Sequence, residues 1–236
     1  MEVPSSVYHG LLIVDKPLAL SSMDLIRRVR RVVDAPRKGP GKLRVGHAGT
    51  LDPLATGVVI LCFGKATQQV EKLMGLGKTY ETTIDLSAFT ATDDREGERQ
   101  GVTIETSPTR EQIDAALSRM IGEIEQRPPV FSAVHVDGKR AYKAARRGET
   151  LVMPIKRVRI DAMDVLGYDW PLLSLRIACG RGTYIRSIAR DLGQALGTGG
   201  HLASLRRTAV GPHRVENAWT VERLEEGITP EDLISI

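Results

Sequence analysis

The sequence predicts an α+β fold, because strand-like and helix-like segments follow one another without a regular βαβ order in a chain of 236 residues. Two further observations support this class. No internal repeat or low-complexity tract is present, and no long flexible linker divides the chain. We therefore expect one compact domain over residues 1–236, large enough to bury a substantial core.

The predicted strands are short apolar or alternating runs that end at Pro, Gly or polar residues. They are GLLIVDKP, VVILCFG, KTYETTIDLSAF, RVRIDAMDVLGY and LLSLRIACG. Runs of this length and composition are typical of buried or half-buried strands. The polar stretch TATDDREGER reads as a connection between strands.

The predicted helices show apolar residues at helical spacing. Ser21 or Ser22 begins the first, SSMDLIRRVRRVVDA, since serine accepts a hydrogen bond from the free N–H groups of a first turn. In TREQIDAALSRMIG, a core-facing stripe is expected from Ile113, Leu117 and Met120. Helices are also predicted over KATQQVEKLMG and YIRSIARDLGQALG.

Composition excludes several classes of protein. No apolar run approaches the roughly 20 residues of a membrane helix, and MEVPSSVYHG lacks the pattern of a signal peptide. Cys62 and Cys179 both lie in apolar, strand-like runs, which favours buried, reduced thiols and a cytoplasmic protein. The sequence does not exclude a disulfide, but no feature requires one.

Charge is distributed in blocks. Lys plus Arg against Asp plus Glu number 11 against 6 in residues 1–75, 5 against 11 in 76–125, 16 against 6 in 126–215 and 1 against 6 in 216–236. Such asymmetry favours a polyanion bound on one side, since neutralised phosphates supply affinity without sequence preference. A mixed, solvated surface is the alternative explanation.

The segment GHAGTLDPLATG, residues 46–57, carries Asp52 in a tightly specified backbone. It contains three glycines and a proline, and the following proline restricts Asp52 to an extended conformation. Such control of the backbone indicates a site. The alternative is that Asp52 caps a short helix beginning at Pro53.

A second candidate site is CGRGTYIRS, where two glycines bracket Arg181 at a strand end and Tyr184 and Arg186 follow at the start of a helix. Turns of this kind often present side chains to a ligand. The alternative is an ordinary helix start with a solvated Arg186.

Cofactor motifs are not found. GLGKT, residues 75–79, lacks the first glycine of a phosphate-binding loop, because Lys72 occupies that position. The five histidines are dispersed, and neither cysteine belongs to a C-x-x-C pair, so no metal site is predicted.

The segment KRAYKAARR, residues 139–147, holds five cations and no acid. A helix over this segment would place Lys139, Lys143, Arg146 and Arg147 on one face. Because these charges repel one another until an anion arrives, the face is predicted to bind phosphate groups. A solvated helix face is the alternative.

Taken in order, these motifs resemble those of the TruB family, the bacterial tRNA pseudouridine-55 synthases. The matching stretches are GLLIVDKP, GHAGTLDPLATGVVILCFGKAT, KTYE, TATDDREG, RPPVFSAVHVDGKRAYKAARRG, CGRGTYIRSIARDLG and HLASLRRTAVG. They cover about residues 9 to 225, and the loop around Asp52 is the most specific of them.

The resemblance implies a pseudouridine-synthase fold, with a mixed, mostly antiparallel sheet flanked by helices and an inserted basic thumb at about residues 124–155. It implies a cofactor-independent isomerase that acts on a flipped-out uridine of the tRNA T-arm loop. No metal, membrane or obligate protein partner is implied, and a monomer is expected. A C-terminal RNA-binding domain, which many members carry, is expected to be absent or vestigial.

The resemblance also implies residue roles. Asp52 would be the catalytic carboxylate, Arg186 its ion-pair partner, and Tyr80 the residue against the uracil. The substrate-binding positions would be His47, Asp94, Tyr184 and Leu205, together with Lys139, Lys143, Arg146 and Arg147 on the thumb.

Two positions depart from the family pattern. Ala19 replaces a usual glycine in DKPLALSS, and Ser87 follows Leu86 where glycine is usual. Two other functions stay open from sequence: a non-catalytic RNA-binding or RNA-chaperone protein of the same fold, and a guide-RNA-dependent pseudouridine synthase.

Overall fold

The computed structural model describes residues 7–33, 42–132, 134–136, 139–141, 145, 147 and 151–236. The chain forms two compact units. The first comprises residues 1–79 and 206–236, and the second comprises residues 80–205. None of the helices in the described ranges is long and apolar enough to span a bilayer.

The first unit is built around strand β3. Its elements are β1 (Gly10–Lys16), α1 (Ser22–Val32), β2 (Val45–His47), β3 (Thr56–Phe63) and α2 (Val70–Gly75), with the end of β12 (His201–Val210), β13 (His213–Arg214) and α5 (Val221–Glu226). Short 3-10 helices cover Gly64–Gln69, Val215–Asn217 and Pro230–Asp232. Strand β1 pairs with β3 antiparallel, from Gly10 opposite Phe63 to Lys16 opposite Gly57.

Strand β3 also contacts β2 and β12. Strand β2 is antiparallel to β3, with His47 opposite Leu61, and β12 is parallel to it, with Arg206 opposite Thr56. These pairings bury an apolar cluster formed by Leu11, Ile13, Ala48, Val58, Ile60, Cys62, Ala66 and Val210. The two strand-like runs GLLIVDKP and VVILCFG are thus confirmed as the buried centre of this unit.

The second unit contains the remaining elements. They are β4 (Lys78–Asp85, from Tyr80 onward), β5 (Ala88–Thr90), β6 (Arg99–Gly101), α3 (Arg110–Ser118), β7 (Gly122–Gln126), β8 (His135–Val136), β9 (Lys139–Arg140), β10 (Lys156–Asp169), β11 (Leu172–Cys179), α4 (Ile185–Leu196) and the start of β12. The strand order is β12–β4–β11–β10–β7, while β5–β6 and β8–β9 form separate two-stranded ribbons.

Antiparallel pairing dominates the second unit, as in β10–β11 and β10–β7. Together with the parallel β3–β12 pair of the first unit, this confirms the predicted mixed, mostly antiparallel α+β architecture. Helix α3 packs against α4 and β10 through the buried Ile113 and Leu117. Met120, predicted in the same stripe, lies in the turn after α3 and is only partly buried.

Local signals explain the helix boundaries. Ser21 caps α1 by accepting from the N–H of Asp24, whose carboxylate in turn accepts from the N–H of Ser21. Thr109 and Gln112 form the same reciprocal pair at α3. Both cysteines are buried and reduced, as expected.

Candidate active site

The loop that carries Asp52 connects β2 to β3 and is held along its backbone. The N–H of Ala48 donates to Ile60 O at 2.9 Å, and the N–H of Ala55 donates to Asp52 O at 3.0 Å. From outside the loop, the N–H of Ala19 donates to Pro53 O at 2.9 Å. Each bond restricts the backbone of the loop or of the strand residues that flank it.

Two side chains hold the same loop. The hydroxyl of Ser22, which is buried, accepts from Leu51 N at 2.9 Å and donates to Leu51 O at 3.2 Å. The guanidinium of Arg207 donates to Gly49 O at 3.2 Å and Thr50 O at 3.4 Å. Consecutive residues before Asp52 are therefore fixed by separate donors or acceptors.

The end of the loop requires glycine. Gly57 has φ of 106°, and a Cβ there would lie 2.1 Å from Arg207 O. No side chain fits this close approach of β3 to β12, and L residues rarely adopt that φ.

Asp52 does not cap a helix. Pro53 and Leu54 form a turn, and β3 begins at Thr56. The capping alternative is therefore wrong, because the chain enters strand β3 directly after this turn and forms no helix that Asp52 could cap. The Asp52 side chain is partly exposed on a loop whose neighbours Leu51 and Leu54 are buried.

Lys16 places a buried cation near this carboxylate. Its side chain is fully buried, and its Nζ donates to Pro17 O at 2.9 Å and Leu20 O at 2.7 Å. Burial lowers the pKa of Lys16 to about 8, and the charge of Asp52 acts in the opposite direction by favouring the ammonium form. Asp52 is thus the largest electrostatic stabiliser of this buried lysine.

His47 ends β2 in the same unit. Burial lowers its pKa, and the nearby charge of Arg207 lowers it further. Its buried Nδ1 has no hydrogen-bond partner within the described part of the chain. The imidazole is accordingly neutral near pH 7 and retains one unused polar atom.

A second cluster surrounds Arg186, in the second unit. Arg186 lies in the first turn of α4, and its Nη1 contacts Asp94 Oδ2 at 3.3 Å and Thr92 O at 3.3 Å. Its Nη2 donates to Phe131 O at 3.1 Å. Because Arg186 is buried and ion-paired, the solvated alternative is wrong.

Asp94 is oriented by its own turn. It is 1% exposed, and its Oδ1 accepts from Thr92 Oγ1 at 2.6 Å and from Glu96 N at 3.0 Å. The polar connection TATDDREG is therefore an ordered turn that aims one carboxylate oxygen at Arg186.

The other predicted residues of the second unit lie in β4, in β12 and at the start of α4. Tyr80 in β4 and Leu205 in β12 are each 8% exposed, on strands that are neighbours in the sheet. Tyr184 precedes α4, and its backbone N–H donates to Gln126 Oε1 at 2.8 Å. Its ring packs against an apolar cluster that includes Val134.

The basic segment differs from its prediction at the start. Lys139 lies in β9, paired through Val136 with β8, so the expected helix does not begin there and Lys139 does not share its face. The dipeptide Asp-Gly before Lys139 is a sequence signal for a hairpin, and it outweighs the helix propensity of the alanines that follow. Ala141 and Ala145 are helical and Arg147 lies exposed in a turn, whereas Lys143 and Arg146 lie outside the described residues.

Sequence reasoning missed two arginines, of which Arg207 is buried and Arg190 is partly buried. Arg207 is 2% exposed, and Arg190 contacts Asp93 at 2.8 Å. Burial raises the pKa of Asp93 to about 6 despite that contact. The signal for Arg207 is strand alternation, since it shares the buried parity of Leu205 and Ala209 in β12.

Two family models match the chain over most of its length. Residues 37–185 match the N-terminal domain of TruB family pseudouridylate synthases, and residues 186–232 match a tRNA pseudouridylate synthase B C-terminal domain. Fold and family model together define a pseudouridylate synthase.

Curated relatives agree. The chain is 45% identical over 228 residues to the tRNA pseudouridine synthase B of Cupriavidus pinatubonensis, covering 94% of this chain and 69% of that protein. It is 44% identical over 223 residues to the enzyme of the same name from Phocaeicola vulgatus, covering 94% of both. The chain belongs to the TruB family.

Among solved structures, the fold is similar to a chain in the crystal structure of a Cbf5–Nop10–Gar1 complex. The TM-score is 0.71 at 27% identity, over 94% of this chain and 55% of that chain. The chain thus spans about half the length of this solved relative.

Proposed function

We propose that the protein is a stand-alone cytoplasmic enzyme that converts uridine to pseudouridine at position 55, in the T-arm loop of tRNA, with Asp52 as the catalytic carboxylate. The relatives named tRNA pseudouridine synthase B support the substrate class. The observation that carries the assignment of Asp52 is its loop, in which the flanking backbone is held by Ser22, Arg207 and Ala19 while the carboxylate stays partly exposed.

The reaction is an isomerisation. The C1′–N1 glycosidic bond breaks, the uracil turns, and a bond forms between C1′ and C5. The proton leaves C5, and N1 ends protonated, so no oxidant, reductant or energy source is consumed. The step requires a carboxylate close to the sugar and base, either as a nucleophile or as the stabiliser of a cationic sugar. Asp52 fills that role on either route.

The loop favours this chemistry for a physical reason. A carboxylate carried on a backbone that is already held in position loses less orientational freedom when the substrate binds, which lowers the barrier of the bond-breaking step. His47 lies at the end of β2 and is partly exposed, and it would contact the RNA loop from which the target uridine is flipped out.

The residues of the second unit complete the proposal. Arg186 would orient Asp52 in the substrate complex, and the Asp94 contact keeps the guanidinium in a defined rotamer. Tyr80 would lie against the uracil and assist removal of the C5 proton, while Tyr184 and Leu205 would line the base pocket.

The thumb, residues 124–155, would contact the RNA backbone. If Lys143, Arg146 and Arg147 each neutralise one phosphate, replacing all three by Gln should weaken binding and flatten the slope of log affinity against log salt by roughly two to three units. Filter binding of a T-arm hairpin at several salt concentrations measures this. Arg110→Gln with Arg119→Gln, on or next to α3 in the acidic block, is the matched control and should leave the slope unchanged. An unchanged slope in the triple variant would mean that these cations face solvent.

The deciding experiment uses purified protein and a T-arm hairpin alone, in the presence of EDTA, with pseudouridine mapped by sequence position. Conversion at position 55 supports the proposal. Binding without conversion would instead favour an RNA-binding or chaperone role. Conversion that requires an added guide RNA or protein would favour a guide-dependent enzyme, and the similar solved chain does come from a complex, that of Cbf5, Nop10 and Gar1.

A further inference from the structure

Arg207 is a buried arginine whose hydrogen bonds go to backbone carbonyls. Its Nε donates to Val58 O at 2.7 Å, while Nη1 and Nη2 donate to Thr50 O at 3.4 Å and Gly49 O at 3.2 Å. The side chain is among the largest in the described residues to be almost fully removed from solvent. Burying a guanidinium is unfavourable unless its donors are satisfied, so this position requires a specific reason.

The acceptors lie on both sides of Asp52. Gly49 and Thr50 precede it by three and two residues, and Val58 follows it by six. One planar group therefore ties the entry and the exit of the loop together. A guanidinium suits this task because its five N–H donors have fixed relative directions.

The other contacts of the loop each restrain a single residue. Ser22 fixes Leu51 alone, and Ala19 fixes Pro53 alone, whereas Arg207 spans the whole loop. At Gly57 the backbone of β3 approaches the Arg207 carbonyl so closely that no Cβ fits. The residue thus contacts the loop through both its side chain and its own backbone strand.

We propose that Arg207 is a positioning residue for the isomerisation: it sets the distance between the two ends of the Asp52 loop and thereby the position of the carboxylate. This inference rests on the proposed function. Arg207 touches neither base nor sugar, since it is buried behind the loop, so it acts only through Asp52.

Arg207→Lys is the sharpest test. Lysine keeps the positive charge, but one ammonium cannot reach carbonyls on both sides of the loop. The matched control is Arg206→Lys, the adjacent residue of β12. Its side chain is 40% exposed and pairs with Asp15 at 2.7 Å. Arg207→Lys removes the guanidinium from the buried face of β12, whereas Arg206→Lys removes one from its exposed face.

The measurement is the single-turnover rate of pseudouridine formation on the T-arm hairpin at saturating protein, together with the Kd for that hairpin. Arg207→Lys should lower the rate about 100-fold, the effect expected of a displacement near 1 Å. Its Kd should stay within about twofold of the wild-type value, because a buried group makes no RNA contact. Arg206→Lys should retain a rate close to wild type.

A wild-type rate for Arg207→Lys would overturn the proposal while leaving the proposed function intact. An equal loss of rate and of affinity would also overturn it, since a merely structural role predicts both. If the lysine variant does not fold, Arg207→Gln, which keeps a planar donor, takes its place. Failure of both to fold would assign Arg207 to the fold and not to positioning. A wild-type protein that forms no pseudouridine would overturn both proposals.

Discussion

The Asp52 loop and the Arg186 cluster are held in position by different kinds of interaction. In the first unit, hydrogen bonds from backbone groups, the Ser22 hydroxyl and the Arg207 guanidinium fix the backbone of the loop, and the carboxylate of Asp52 stays partly exposed. In the second unit, a buried ion pair between Arg186 and Asp94 fixes the side chains themselves. Removing charge should therefore have different consequences in the two regions.

The difference follows from which groups make the stabilising interactions, the backbone in one region and side chains in the other. A backbone hydrogen bond survives substitution of the side chain beside it. A buried ion pair does not, because the remaining charge is left without its partner in a medium of low dielectric. The Asp52 loop should tolerate a neutral side chain, whereas the Arg186 cluster should not.

The largest effect is expected from Asp52→Asn. This change preserves shape but removes both the nucleophile and the charge, so pseudouridine formation should fall about 1000-fold or more. The free energy of unfolding should fall by about 1 kcal/mol, because the hydrogen bonds to the loop backbone remain while the buried Lys16 loses a stabilising charge. Turnover assays and urea unfolding measure the two quantities. Substantial turnover would contradict the catalytic assignment, and loss of the fold would show that the carboxylate is structural.

Asp94→Asn sharpens the contrast. It leaves Arg186 buried beside a neutral amide, and the free energy of unfolding should fall by about 3 kcal/mol. Asp114→Asn, which breaks the exposed i,i+4 pair with Arg110, is the control and should cost about 0.5 kcal/mol or less. Equal effects of the two changes in urea unfolding would rule out a stabilising ion pair at Arg186.

Lys16 gives the first unit its own pH dependence. The pKa of Lys16 is about 8 when folded and near 10.5 when unfolded, so between these values the unfolded chain binds more protons. Stability contributed at this site therefore rises with pH through that window, by about 2 kcal/mol. The measurement is the unfolding free energy of wild type minus that of Lys16→Met, followed from pH 7.5 to 10. Groups that titrate in the same way in both proteins contribute nothing to this difference. Parallel curves for the two proteins would contradict it.

Ala19 gives the smallest expected effect. Its φ of 68° lies in the left-handed region, where an L side chain is strained, and its N–H holds Pro53. Ala19→Gly, which restores the residue usual in the family, should stabilise the protein by about 1 kcal/mol. Ala115→Gly, on the exposed side of α3, should destabilise it by a similar amount. Thermal unfolding compares them, and a loss of stability from both would show that Ala19 is unstrained.

Much of the fold was predictable because its signals are local. Apolar runs and glycine or proline punctuation located β1, β3, β4 and β11. The serine cap located α1, and the apolar stripe of Ile113 and Leu117 located α3. The short β8–β9 ribbon was not predicted, because two-residue strands leave almost no periodic signal and a run of alanines favours helix.

The sequence by itself determined that residues 46–57 form a tightly specified loop around one aspartate, since glycine and proline restrict the backbone wherever they occur. Only the tertiary structure decided how that loop is held and which arginines are buried. Ser22 and Leu51 are 29 residues apart, Asp94 and Arg186 are 92 apart, and Arg207 and Val58 are 149 apart. Local patterns show which face of a strand a residue occupies, but they carry no information about which distant carbonyl or carboxylate meets it there.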